Sequence, residues 1–108
     1  MEEKRAIKNI AKKLINRKLY NKINSIKKEE EKFEVMKHTI ISQLELMYLD
    51  IEKKINHFPK KGKDIFIPSM KFHLLKPKIK YFRATLEKKD LNVVLNLIKK
   101  INEGIENA

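Results

Sequence analysis

The sequence predicts an all-α protein, a compact bundle of four to five helices with one long central helix. Three observations predict it. Apolar residues return every three or four positions, the period of a helix and not the alternation of a strand. Two Gly and three Pro in 108 residues are too few for the frequent turns of a sheet protein. From Glu2 to Phe58 neither residue occurs at all. The length suits a single domain over 1–108, and a hydrophobic share of 42% supports a packed core.

The elements follow in order. In a basic N-terminal segment over 1–28, Ile7, Ile10, Ala11, Leu14 and Ile15 recur at helical spacing, with Lys4, Lys8, Lys12 and Lys13 between them. The stripe then drifts through Leu19, Tyr20, Ile23 and Ile26. Asn21, Asn24 and Ser25 weaken the helix there, so a break is expected between about Asn16 and Lys28. The clearest period belongs to a long core helix over 29–56. Phe33, Met36, Ile40, Leu44, Met47, Ile51 and Ile55 step by three and four, with Glu29–Glu31 at the start and Lys53 and Lys54 near the end to suit the helix dipole.

A loop is expected over 57–68, because Pro59 and Gly62 break the helix and Lys60, Lys61, Lys63 and Asp64 keep it wet. C-terminal helices fill 69–103. Phe72, Leu75, Ile79, Phe82 and Leu86 form one stripe, with a helix start or a kink expected at Pro77. Asp90 is the expected cap of a last helix over Leu91–Asn102, with Leu91, Val94, Leu95, Ile98 and Ile101 inward and Gly104 as its stop.

Charge narrows the function. There are 26 Lys and Arg against 14 Asp and Glu, a net +12. Residues 1–28 carry ten basic and two acidic side chains, 29–56 four and seven, and 57–108 twelve and five, so two basic ends flank an acidic middle. The preference for lysine over arginine is the pattern that AT-rich codon usage gives, but codon choice does not create an excess of base over acid. Such a surplus draws polyanion: nucleic acid first, an acidic protein or anionic membrane next. No apolar run approaches a membrane span and no apolar signal core follows the N-terminus, so a cytoplasmic protein with no membrane partner is expected.

Catalysis needs convergent groups, and the inventory is thin. Without cysteine there is neither a disulfide nor a thiolate metal site. His38, His57 and His73 share no ligand spacing, Ser25, Ser42 and Ser69 lack a nucleophile-elbow context, and no Gly-rich loop exists to cradle a nucleotide. The expectation is a protein that is not an enzyme and has no catalytic residue, metal site or cofactor.

The basic positions are the better candidates. Lys76, Lys80 and Arg83 fall on one flank of the Phe72–Leu86 stripe, and Lys71, Lys78 and Tyr81 on the other. Tyr81 is placed either to stack on a base or to pack half-buried. Lys8, Lys12, Lys13, Arg17, Lys18 and Lys22 make a second phosphate-facing stripe, whose competing reading is an amphipathic helix on an anionic membrane. Ile41, Tyr48 and Met70 lie off the main stripes and are candidates for contacts with neighbouring subunits.

The run Leu74-Leu75-Lys76-Pro77-Lys78-Ile79-Lys80-Tyr81, followed by a polar gap and the helix Leu91–Ile101, resembles the C-terminal half of the small helical subunit of type III CRISPR effector complexes of the Csm kind. Thr39-Ile40-Ile41-Ser42-Gln43-Leu44 is similar to that family's entry to a core helix. Glu45 stands where the family commonly has Arg, and Ala84-Thr85 where it tends to have Gly-Arg. The resemblance implies an antiviral-defence ribonucleoprotein subunit that stacks head to tail with copies of itself along a guide RNA–target RNA duplex, beside other effector subunits that cut. The resemblance carries RNA contacts over to Lys76, Lys78, Lys80 and Tyr81; residues 1–30 have no counterpart in it, and Arg83, Lys12, Lys13 and Arg17 are expected RNA contacts from the basic stripes alone. The alternatives are a free-standing basic DNA-binding protein and a protein-interaction adaptor. The first needs a helix-turn-helix, for which the 58–68 connection is too long.

Overall fold

The computed structural model describes residues 2–57 and 66–107; the expected loop residues Phe58–Asp64 lie outside them. The all-α expectation holds: among the described residues there are five helices and no strand. They are α1 (Glu2–Leu14), α2 (Arg17–Asn24), α3 (Glu29–Asn56), α4 (Phe66–Thr85) and α5 (Lys88–Glu106). The chain gathers into two compact units, Met1–Leu44 and Glu45–Ala108, with α3 continuing from the first into the second.

In the first unit, Ile7, Ala11 and Ile15 are buried from α1 and its end, Tyr20 and Ile23 from α2, and Phe33, Met36, Ile40, Ile41 and Leu44 from α3. The expected break between Asn16 and Lys28 is instead two short breaks around a helix. Asn16 caps α2, its Oδ1 accepting from the Lys18 amide at 2.8 Å, and burial of Tyr20 and Ile23 outweighs the weak propensity of the asparagines. Ser25 closes α2, its hydroxyl donating to the Lys22 carbonyl at 2.7 Å. The Lys4 ammonium lies 5.3 Å from the centre of the Phe33 ring, a cation–π contact between α1 and the start of α3.

In the second unit, α4 and α5 pack as a helical hairpin, burying Leu75, Ile79 and Phe82 against a core that includes Leu91, Val94, Ile98 and Ile101. Tyr48 of α3 stacks on Phe72 of α4 with ring centres 4.7 Å apart. Residues 66–68, expected as loop, are helical. Pro68 sits in the first turn of α4, where a missing amide costs nothing, and α4 runs through Pro77 without a stop.

The corner after α4 is made by backbone geometry. Leu86 turns left-handed at φ 55° and Glu87 is extended, so the helix cannot continue. Asp90 is not the cap of α5. It lies in the first turn and accepts the Thr85 hydroxyl at 2.5 Å, while Glu87 is the capping residue without a side-chain cap bond. Nor is Gly104 a stop. α5 continues to Glu106, and Gly104 faces Pro68, where a Cβ would come within 2.7 Å of the proline Cγ.

Candidate nucleic-acid interface

Helix α4 carries Lys71, Lys76, Lys78, Lys80 and Arg83 and no carboxylate over 20 residues. The buried stripe Leu75–Ile79–Phe82 fixes which way these cations face, because a side chain one position from a buried one must leave on a flank. The two flanks expected from the sequence are both present. Lys76, Lys80 and Arg83 share an open groove of about 280 Å³ with Glu45, Tyr48 and Leu49. Lys78 and Tyr81 line a second groove with Pro77, Asp90 and Val93. The first groove is half open to solvent and is not an enclosed cavity.

The cations differ in their engagement. The Arg83 guanidinium is bonded to the Glu45 carboxylate across 38 residues of sequence, which neutralises the charge expected to meet RNA. Lys76, Lys78 and Lys80 are exposed and have no ion-pair partner among the described residues. Three carboxylates elsewhere pair with lysines near in sequence: Glu29 with Lys32, Asp50 with Lys54 and Glu87 with Lys89. Tyr81 is exposed, so the packing alternative gives way to an aromatic face open to solvent.

In the first unit, Lys12 and Arg17 are brought together in a shallow groove with Tyr20 and Asn21, at the junction of α1 and α2. Lys13 is exposed and does not line that groove. The sequence reading missed this junction. α1 and α2 are joined by Ile15 and Asn16 alone, and α2 presents Arg17, Lys18, Asn21 and Lys22 outward. The signal was Asn16 placed before a short apolar pair. The hydroxyl of Tyr20 is buried without a hydrogen-bond partner, and burial raises its pKa above the ordinary phenol value.

Of the residues expected to meet neighbours, Ile41 is buried and so is part of the core, not a surface. Tyr48 is half-buried against Phe72. Met70 is exposed. The histidines show local roles: His38 lies 3.8 Å from Glu34 on the same helix, His57 is bonded through its Nδ1 to the Lys53 carbonyl, and His73 lies beside the Phe72 ring. Among the described residues no three His, Asp or Glu side chains gather as a metal site, and no helix is long and apolar enough to cross a membrane. No protein-family model matches the chain, and neither the curated proteins nor the solved structures contain a match to it.

Proposed function

We propose that the chain is a non-catalytic RNA-binding structural subunit of a ribonucleoprotein, holding a phosphate backbone on the cations of α4. The observation that carries this is the one-signed helix: five cations, no carboxylate, and three exposed lysines with no ion-pair partner among the described residues. Unpaired ammonium groups on a rigid element contact phosphates without reading sequence, and binding gains from the counterions released. Tyr81 adds an exposed ring on which a base can stack. Lys12, Lys13 and Arg17 supply a second cationic surface on the other unit.

The finer form of the proposal, a type III CRISPR effector subunit stacking along a guide–target duplex with copies of itself, rests on the resemblance at Leu74–Tyr81 and Leu91–Ile101. In that setting base pairing supplies specificity, and a subunit that grips only backbone suffices. Pull-down from native cells, with sequencing of retained RNA and identification of co-purifying proteins, tests both levels. Spacer-derived guides support the finer form; other RNA supports the coarser form alone; no retained RNA at low salt refutes both.

A second reading has its own observation, the short α1–α2 junction. Two helices joined by a tight turn, the second bearing Arg17, Lys18, Asn21 and Lys22, have the makings of a major-groove reader of DNA. Competition between duplex DNA and RNA separates the readings. Preference for DNA that is lost in Arg17→Gln/Asn21→Ala and kept in Lys76→Gln/Lys80→Gln favours this second one.

A further inference from the structure

The buried stripe of α4 is not its only apolar face. Ile67, Met70, Leu74, Pro77 and Tyr81 step by three, four, three and four along the opposite side of the helix. Ile67, Met70, Leu74 and Tyr81 are 59%, 54%, 55% and 59% exposed. This is a heptad seam, with Ile67, Leu74 and Tyr81 in a-type positions and Met70 and Pro77 in d-type positions. The flanking e-type positions hold Lys71 and Lys78, and the g-type positions next to the later turns hold His73 and Lys80. Exposed Val93 of α5 lines the groove beside Tyr81. Asp90, in the same groove, already accepts the Thr85 hydroxyl.

We infer that this outer face of α4 is a docking seam for an acidic amphipathic helix of a partner protein. Two features select that occupant. The seam is narrow, the width of an a/d stripe that meets one facing helix; a helix lying on a lipid surface presents a broader apolar face. Its flanking charges on α4 are all of one sign, Asp90 of α5 being the carboxylate in the adjoining groove, and flanking charges decide which helix pairs with which. A second copy seated on the same face would set lysine against lysine with no carboxylate on α4 to relieve it. A helix with leucine or isoleucine along its seam and glutamate at its flanks meets both requirements. The inference goes beyond the RNA proposal and does not rest on it.

The probe is a fluorescent synthetic helix of about four heptads with Leu at a and d and Glu at e and g. Two controls accompany it, one with Lys at e and g and one with Ser at a and d. The full chain should bind the first peptide in the micromolar range at physiological salt, and each control at least about tenfold more weakly. Leu74→Ser, an exposed substitution, should cost about tenfold for the first peptide while leaving RNA affinity unchanged. Met70→Gln gives a second variant if the first loses its circular dichroism spectrum. Equal binding of the Glu peptide with and without its apolar seam would overturn the inference, since that is mere attraction to polyanion. So would Leu74-dependent binding to phosphatidylserine vesicles tighter than to the peptide, or Leu74-dependent self-association by sedimentation.

Discussion

Removing the Glu45 carboxylate should strengthen RNA binding. Glu45 and Arg83 are both about half exposed, so their ion pair adds at most about 1 kcal/mol to stability and the fold should survive Glu45→Gln. What changes is the charge offered to a phosphate. With Glu45 present, Arg83 is neutralised; with Gln there, the groove shared by Lys76, Lys80 and Arg83 gains one free cation. Each additional neutralised phosphate steepens the log–log salt dependence by about 0.7 for single strands and about 0.9 for a duplex. Measured from a common 1 M intercept, that is roughly five- to eightfold tighter binding at 0.1 M. Fluorescence anisotropy with labelled RNA across a salt series, on wild type, Glu45→Gln, Arg83→Gln and the double variant, reads this directly. Arg83→Gln should weaken binding in wild type as well, because it leaves the Glu45 carboxylate uncompensated in the groove, and the double variant, with both charges gone, should return close to wild type. An unchanged slope in Glu45→Gln, or a double variant as weak as Arg83→Gln alone, would refute the reasoning.

Other outcomes follow from the packing. Gly104→Ala should lower stability by about 1 kcal/mol in a urea melt, because overpacking against the stiff Pro68 ring outweighs the better helix propensity of Ala. Tyr20→Phe should leave stability unchanged or raise it by about 1 kcal/mol, since the deleted hydroxyl is buried in a residue only 7% exposed and has no partner. The same residue gives a pH signature. Its folded pKa lies above the ordinary 10.0, so the unfolded chain loses its phenolic proton first, and stability falls as pH rises past about 10 through the folded value. In Tyr20→Phe that alkaline loss should shrink.

Helix α3 was legible because 28 residues without Gly or Pro carry one apolar seam from Phe33 to Ile55. The cation-bearing flanks of α4 were legible for the same reason: once Leu75, Ile79 and Phe82 face inward, the helical period sets the rest. Interactions between helices were not legible. Asp90 has the chemistry of a cap but is taken by the Thr85 hydroxyl, and Gly104 has the chemistry of a stop but makes room for Pro68. The Glu45–Arg83 pair joins residues 38 apart, and nothing local announces it. Ile41 lies off the main stripe yet is buried, because α3 is apolar over a wider arc there than one seam accounts for. The outer seam of α4 was written in the sequence, but taking 57–68 as loop removed Ile67, its first member.

Whether the lysines of α4 are phosphate ligands is read most directly from the salt dependence of RNA affinity in Lys76→Gln/Lys78→Gln/Lys80→Gln. The triple variant keeps the buried stripe, so its helix content and melting temperature should match wild type. Its log–log slope should be shallower than wild type by about 2 to 3, three ligands at 0.7–0.9 each. A wild-type protein with no RNA affinity at 50 mM salt, or a triple variant whose slope equals the wild-type slope, would contradict the account.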